Sequence, residues 1–401
     1  MNHRNSLQIA ALVGVLGLSW GCASEEPTAE AARFPVFRRD PVDRPVISSG
    51  TAGLPSLVAD PCIVTDSEGY HLFYSASFCR KPDGTYSYSW DPSGSQACDP
   101  GQAFGTTGYA FSADRGLTWQ FRKTPVVLRG EENWNNIDVE TPFVSRVGDR
   151  LLLFYSAIGV IGDGSLTHRF QLGAATLDLH GRTIRGALMD DNALFTHHAS
   201  PVIAADFSQP HGVNNAQEPS VVVRDGRLEL FFTSLGLSQP DKDFDAPGQE
   251  VSISLRVAVL DQNLAVLEPP SPPLTSGWTS NIAEVRFLDG RYHLFATTTE
   301  LDDHEDDQLV HAESEDGRHF TAPQTILRRR SGAVFDNWGL MAPTIAVEPE
   351  SLVLFYTGWE MQEHSCQLAG ASGRVGMAIE SRPNEARCLY ATLGRAVSTR
   401  P

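Results

Sequence analysis

Asp60-Pro61-Cys62-Ile63-Val64, a turn at Ser67-Glu68-Gly69, and Leu72-Phe73-Tyr74-Ser75 form the phrase whose repetition decides the fold. A polar opening and an apolar run lead through a tight turn into a strand ending in Leu-Phe-aromatic-Ser/Thr, the pattern of a β-hairpin. The phrase returns as Glu140-Thr141-Pro142-Phe143-Val144, Gly148-Asp149, Leu153-Phe154-Tyr155-Ser156, and as Glu218-Pro219-Ser220-Val221, Asp225-Gly226, Leu230-Phe231-Phe232-Thr233. Two later copies run from Glu284-Val285 through Asp289-Gly290 to Leu294-Phe295-Ala296-Thr297, and from Ala342-Pro343-Thr344-Ile345 through Glu348-Pro349-Glu350 to Leu354-Phe355-Tyr356-Thr357.

Each hairpin is followed by a third apolar strand: Tyr109 to Ser112, Leu172 to Thr176, Leu255 to Leu260, Leu309 to Glu313 and Val375 to Ile379. Short fourth strands fit at Thr118 to Phe121 and His319 to Ala322. Four antiparallel strands repeated five times predict an all-β chain, a five-bladed β-propeller. A sandwich or jelly roll would not repeat one hairpin with one polar opening at 60, 141, 218, 284 and 342. No long amphipathic helix separates the strands, which excludes an alternating α/β fold. The stretch Ser112-Ala113-Asp114-Arg115-Gly116-Leu117-Thr118-Trp119 resembles the Asp-box of sialidases and other propellers, a structural turn, and Ser314-Glu315-Asp316-Gly317-Arg318-His319-Phe320 is a shorter version.

The ends of the chain read differently. Arg4 followed by the apolar run Leu7 to Leu18 is an export signal, too short to span a bilayer. Ser19-Trp20-Gly21-Cys22 resembles a bacterial lipoprotein cleavage box, so residues 1–22 are expected to be a signal peptide with Cys22 as the lipidation site. Ordinary cleavage near Ala23 is the alternative, giving a freely secreted protein. Residues 23–45, rich in Glu, Ala and Pro, read as a flexible tether, and 46–401 as the propeller. Membrane contact is expected only through the lipid anchor, and the protein is expected to be monomeric.

The formal net charge of -18, with Arg328-Arg329-Arg330 as the one basic run, excludes nucleic acid as a partner. Of six cysteines, Cys79 with Cys98 and Cys366 with Cys388 are disulfide candidates by proximity, leaving Cys62 as a buried free thiol. No CxxC or paired Cys/His spacing marks a zinc site, so no metal ligand set is expected.

In a propeller the first strand of each blade lines the central channel. Thirteen positions before the Phe of each Leu-Phe pair stand Asp60, Thr141, Glu218 and Ala342, with Glu284 displaced by two and Glu140 and Asp138 beside Thr141. Several carboxylates facing one channel repel one another and split into protonated acid and ionised base, the arrangement that glycoside hydrolysis uses. An acid before Pro also suits a strand-opening turn, which is the plainer reading of any single position.

Ala59-Asp60-Pro61 in the first blade, with acids opening the second and third, resembles glycoside hydrolase family 43 and the related family 32, over roughly Leu54 to Leu393. The resemblance implies that Asp60 is the base or nucleophile, Glu218 the general acid, and Asp138 or Glu140 the group that tunes the acid. The family's acid reads Glu-x-Pro, and here that spelling belongs to Glu140-Thr141-Pro142, which makes Glu140 a rival acid. Arabinose-, xylose- or fructose-containing glycans are the substrates implied. No cofactor is required, although the resemblance allows a structural calcium.

Trp134, Asn136, Asn215, Trp278, Asn281 and Trp338 precede the inner strands, and with Glu284 they are candidate sugar-binding residues. Equally, the tryptophans would pack between blades and the asparagines would cap turns. A glycan- or protein-binding lipoprotein without turnover is the rival to an enzyme, since one fold hosts many functions.

Overall fold

The computed structural model describes residues 34–48, 57–88, 103–159, 169–242, 247–275, 281–300, 303–332, 335–362 and 388–400. Cys22, Trp278, Cys98 and Cys366 lie outside them, as do the side chains of Asn281 and Cys388.

Five antiparallel sheets follow one another along the chain. Blade one comprises Ala59–Thr65, Tyr70–Arg80, Ala103–Ser112 and Gln120–Phe121, and blade two Asp138–Val147, Arg150–Ile158, Phe170–Asp178 and Thr196–His197. Blade three comprises Asn215–Arg224, Arg227–Leu237, Val251–Leu260 and Val266–Glu268, and blade four Asn281–Leu288, Arg291–Glu300, Asp303–Ser314 and Gln324–Arg328. Blade five holds Gly339–Val347, Ser351–Gln362 and Cys388–Thr399. The first strands touch in cyclic order, the fifth returning to the first, so the sheets close into a ring. Among the described residues the single helix is Ile184–Leu188, capped by Thr183.

The Leu-Phe pair explains why the sheets stack. Strand alternation sends the two side chains to opposite faces, and every Leu and Phe of the five pairs is fully buried. Leu230 packs into the core shared with blade two, while Phe231 packs toward blade four. Leu294 and Phe295 face blades three and five, and Leu354 and Phe355 face blades four and one. One dipeptide therefore seals both sides of its blade. Where the next residue is Tyr, it lies over a glycine of the third strand: Tyr74 pairs with Gly108, Tyr155 with Gly173 and Tyr356 with Gly394. A Cβ on Gly173 would stand 2.2 Å from the Tyr155 ring.

Three expectations are corrected. The third strand of blade five is Cys388–Thr399, because it is this segment that pairs along Ser351–Gln362; Val375 to Ile379 lie outside the described residues. The fourth strand of blade four is Gln324–Arg328, since His319 belongs to the Asp-box turn, where Asp316 accepts its backbone N–H at 2.9 Å. The tether does not extend to residue 45. Arg38–Arg39 is the outer strand of blade five, paired with Ala396 and Val397, and Phe34 and Phe37 are buried in the core between blades four and five. The first Asp-box is built in the same way as the second, with Asp114 accepting from Ser112, Leu117 and Thr118.

Cys62 is a buried free thiol. Cys79 is disulfide-bonded.

Candidate active site

Every inner strand carries a β-bulge at the same register. Pairing skips Asp60-Pro61, Thr141-Pro142, Glu218-Pro219, Ile282-Ala283 and Ala342-Pro343. Proline has no N–H to give the ladder, which suits it to the skipped position. The residue before it takes a left-handed backbone: φ is 50° at Asp60, 49° at Thr141, 57° at Glu218 and 51° at Ala342. Non-glycine residues in this region cost about 1–3 kcal/mol each, and such strain concentrates at functional sites.

The Thr233 and Thr297 hydroxyls find no partner among the described residues; the other three bulges are held by the Ser/Thr that ends a Leu-Phe-aromatic phrase. Its hydroxyl reaches the bulge of the following blade: Thr357 Oγ1 accepts the Asp60 N–H at 3.0 Å, Ser75 Oγ that of Thr141 at 2.8 Å, and Ser156 Oγ that of Glu218 at 2.8 Å. The repeated hydroxyl is visible in the sequence, but its partner lies one blade away and no local pattern names it.

Asp60, Thr141 and Glu218 line one pocket on the ring axis, so the acids of blades one and three share a cavity. The cavity is narrow, about 30 Å³, enough for one or two water molecules. Ser75 also hydrogen-bonds the Asp60 carboxylate, yet burial dominates and raises its pKa to about 6. Glu140 precedes the bulge residue of blade two. Burial, reinforced by the charges of Asp60, Asp138 and Glu218, raises its pKa to about 8. Glu218 is 9% exposed, and Gln217 Nε2 donates to its Oε1 at 3.2 Å. Asp138 is held on the flank of the site, where its Oδ1 accepts the Gly105 N–H at 2.5 Å and burial raises its pKa.

Beneath the bulges runs a second belt. Cys62 Sγ accepts the Val144 N–H at 3.2 Å, Ser220 Oγ that of Val285 at 2.8 Å, Glu284 Oε2 that of Ile345 at 2.8 Å, and Thr344 Oγ1 that of Ile63 at 3.1 Å. Glu284 thus stands at the register of Cys62, Ser220 and Thr344, opposite the Phe of its hairpin, and not in the bulge ring. It forms part of the pocket floor as a strut, ion-paired with Arg286. Arg286 crosses from blade four to the Ile63 carbonyl of blade one at 3.0 Å and lies 5.7 Å from the Phe143 ring of blade two. With a guanidinium already crossing this floor, its residues do not suit the structural calcium that the resemblance allows.

The other sugar-binding candidates divide. Asn215 is buried, and its Oδ1 caps the Phe170 N–H at 2.7 Å, a structural use. Trp134 is half-buried and parallel to Tyr155 with centroids 6.4 Å apart. Asn136 is half-buried in the loop entering blade two. Trp338 packs with Leu57, Ala59, Met341 and Trp359 in a small apolar cluster whose Ala59 adjoins Asp60. Trp359, which no sequence motif singles out, keeps its indole Nε1 buried without a hydrogen-bond partner.

No protein-family model matches the sequence, and no curated protein does. Solved structures match at low identity. The BT0996 RGII complex is 12% identical with a TM-score of 0.55, over 90% of this chain and 93% of its counterpart. The GH43_1 enzyme from Xanthomonas citri complexed with xylotriose is 14% identical with a TM-score of 0.51, over 89% of each chain. A thermostable family-43 glycoside hydrolase is 12% identical with a TM-score of 0.50, over 78% of this chain and 86% of its counterpart. In fold, the chain is similar to the propeller glycoside hydrolases of family 43.

Proposed function

We propose that the protein hydrolyses a glycosidic bond at the mouth of the axial channel. The observation that carries this reading is that Asp60 and Glu218 share one pocket while Glu140 lies near enough to feel the charge of both, with Asp60 titrating near 6 and Glu140 near 8. Between those values one carboxylate is ionised and another keeps its proton, which is the division of labour that hydrolysis of an acetal needs. Asp60 is the base or nucleophile. The acid function belongs to the Glu140–Glu218 pair: Glu140 holds the proton in the free enzyme and Glu218 faces the cavity. The sugar ring sits above the channel, since the cavity itself admits little more than water, and the Trp338–Trp359 cluster beside Asp60 offers it an apolar face. Xylose-containing glycans are the preferred substrates, because the Xanthomonas citri structure of similar fold is complexed with xylotriose.

The test compares Asp60→Asn, Glu140→Gln and Glu218→Gln on aryl glycosides with good and poor leaving groups. Asp60→Asn should lose both activities. Loss of the acid should cost about 10²–10⁴-fold on the poor leaving group and far less on the good one, which needs no protonation. A wild-type protein that binds xylo-oligosaccharide without turning over any glycoside would establish the rival, a binding lipoprotein. Export with lipid attachment at Cys22 belongs to the same proposal; Cys22→Ala should abolish incorporation of labelled palmitate.

A further inference from the structure

Among the described residues, one group of His, Cys, Asp or Glu side chains brings its ligand atoms together, and it lies away from the channel. His293 on the second strand of blade four faces Glu313 and the diagonal His311 on the third. The three ligand atoms lie within 4.8 Å of one another. His293 Nδ1 is 3.0 Å from His311 Nε2 and 4.0 Å from Glu313 Oε1. We propose that His293, His311 and Glu313 form a binding site for a divalent transition-metal ion of the zinc class.

Both imidazoles are more than nine-tenths buried, and one of their two facing nitrogens carries the proton of the shared hydrogen bond, which must leave that nitrogen when a metal binds. Two neutral imidazoles and a carboxylate suit zinc, whereas calcium demands oxygen donors. Tetrahedral zinc would hold the two nitrogens about 3.3–3.4 Å apart, from ligand distances of about 2.0–2.1 Å, so the rings need move only by tenths of an ångström. The Leu288 carbonyl hydrogen-bonds the His293 ring, the kind of outer support that fixes the tautomer of a ligating histidine. Arg291 takes Glu313 Oε2 at 3.3 Å and leaves Oε1 toward His293. Phe34 closes the other side, stacked on His311 with centroids 3.6 Å apart. A metal would tie two strands of blade four beneath the residue where the N-terminal segment enters the core. The histidines stand eighteen positions apart, so no spacing motif shows in the sequence; the strand register creates the site.

The experiment uses tag-free, full-length mature protein, stripped with chelator and titrated with Co²⁺ and Zn²⁺ alone. One equivalent of Co²⁺ should give the visible absorption bands of tetrahedral coordination, displaced by Zn²⁺, and Zn²⁺ should raise the thermal midpoint. Glu313→Gln, at a partly exposed position, should keep the fold and weaken Zn²⁺ at least tenfold, and His311→Gln should abolish the bands. Absence of stoichiometric binding to wild type, or equal affinity in both variants, would overturn the site.

Discussion

Glu140 sets the pH behaviour of the channel because burial and the neighbouring carboxylates favour its protonated form. If Asp60 must be ionised and the acid protonated, kcat/KM should rise through about pH 6 and fall through about pH 8. Glu140→Gln should remove the alkaline limb. The same shifts bear on stability. Each carboxyl titrates higher in the folded chain than in the unfolded one, so the native state holds protons that the unfolded state releases. Their contribution is complete below the ordinary carboxylate range and is lost as pH rises through about 6 for Asp60 and about 8 for Glu140. For Glu140 the span from the ordinary value to about 8 corresponds to a loss on the order of 5 kcal/mol. Thermal midpoints from pH 5 to 9 should therefore decline throughout in the wild type, whereas in Glu140→Gln the decline should end a little above pH 6, where Asp60 has titrated. A parallel decline in both would mean that Glu140 does not titrate there.

At the level of the strand, the Leu-Phe-aromatic phrase was legible because its causes are local: alternation buries Leu against one neighbouring blade and Phe against the other. The aromatic position carries a test. Gly173 opposite Tyr155 leaves no room for a side chain, so Gly173→Val should destabilise the protein by about 3 kcal/mol, read as a lower urea midpoint. Gly148, at an open turn with nothing within 4 Å, should tolerate Asn at little cost, as its φ of 62° suits that residue. Glu284 stands two positions past the ring register, and the strand shows why. The sequence shows an acid near the right offset, and only the bulge shows that Ile282-Ala283 is the skipped pair and that Glu284 belongs to the belt below. Asp60 and Glu218, by contrast, were legible because each is itself the bulge residue before its proline. The strand at Cys388–Thr399 was missed because Val375 to Ile379 carry the same apolar alternation, and the choice between them is made by pairing across the blade.

Across the whole molecule, the ring closes by returning the start of the chain to its end. Arg38–Arg39 and Ile47–Ser48 both pair with Cys388–Thr399, so the last blade is completed in part by Arg38–Arg39, which composition alone assigned to a tether. Their Glu-, Ala- and Pro-rich setting hides two phenylalanines and an arginine whose partners lie far along the chain, Asp336 being 297 positions from Arg39, a separation that no local pattern spans. Arg39 is the fastener: its Nε donates to the fully buried Asp336 at 2.6 Å, and Arg330 and Tyr356 complete that carboxylate's bonds at 2.9 Å and 3.1 Å. Asp336→Asn keeps the shape and removes the charge that both guanidinium groups neutralise, and breaking a buried pair on one side costs about 3–5 kcal/mol. If the fastener acts as a unit, adding Arg39→Ala to Asp336→Asn should cost much less than Arg39→Ala alone, a coupling measurable by urea denaturation. Additive losses would place the closure in the packing of Phe34 and Phe37, with the ion pair as a bystander.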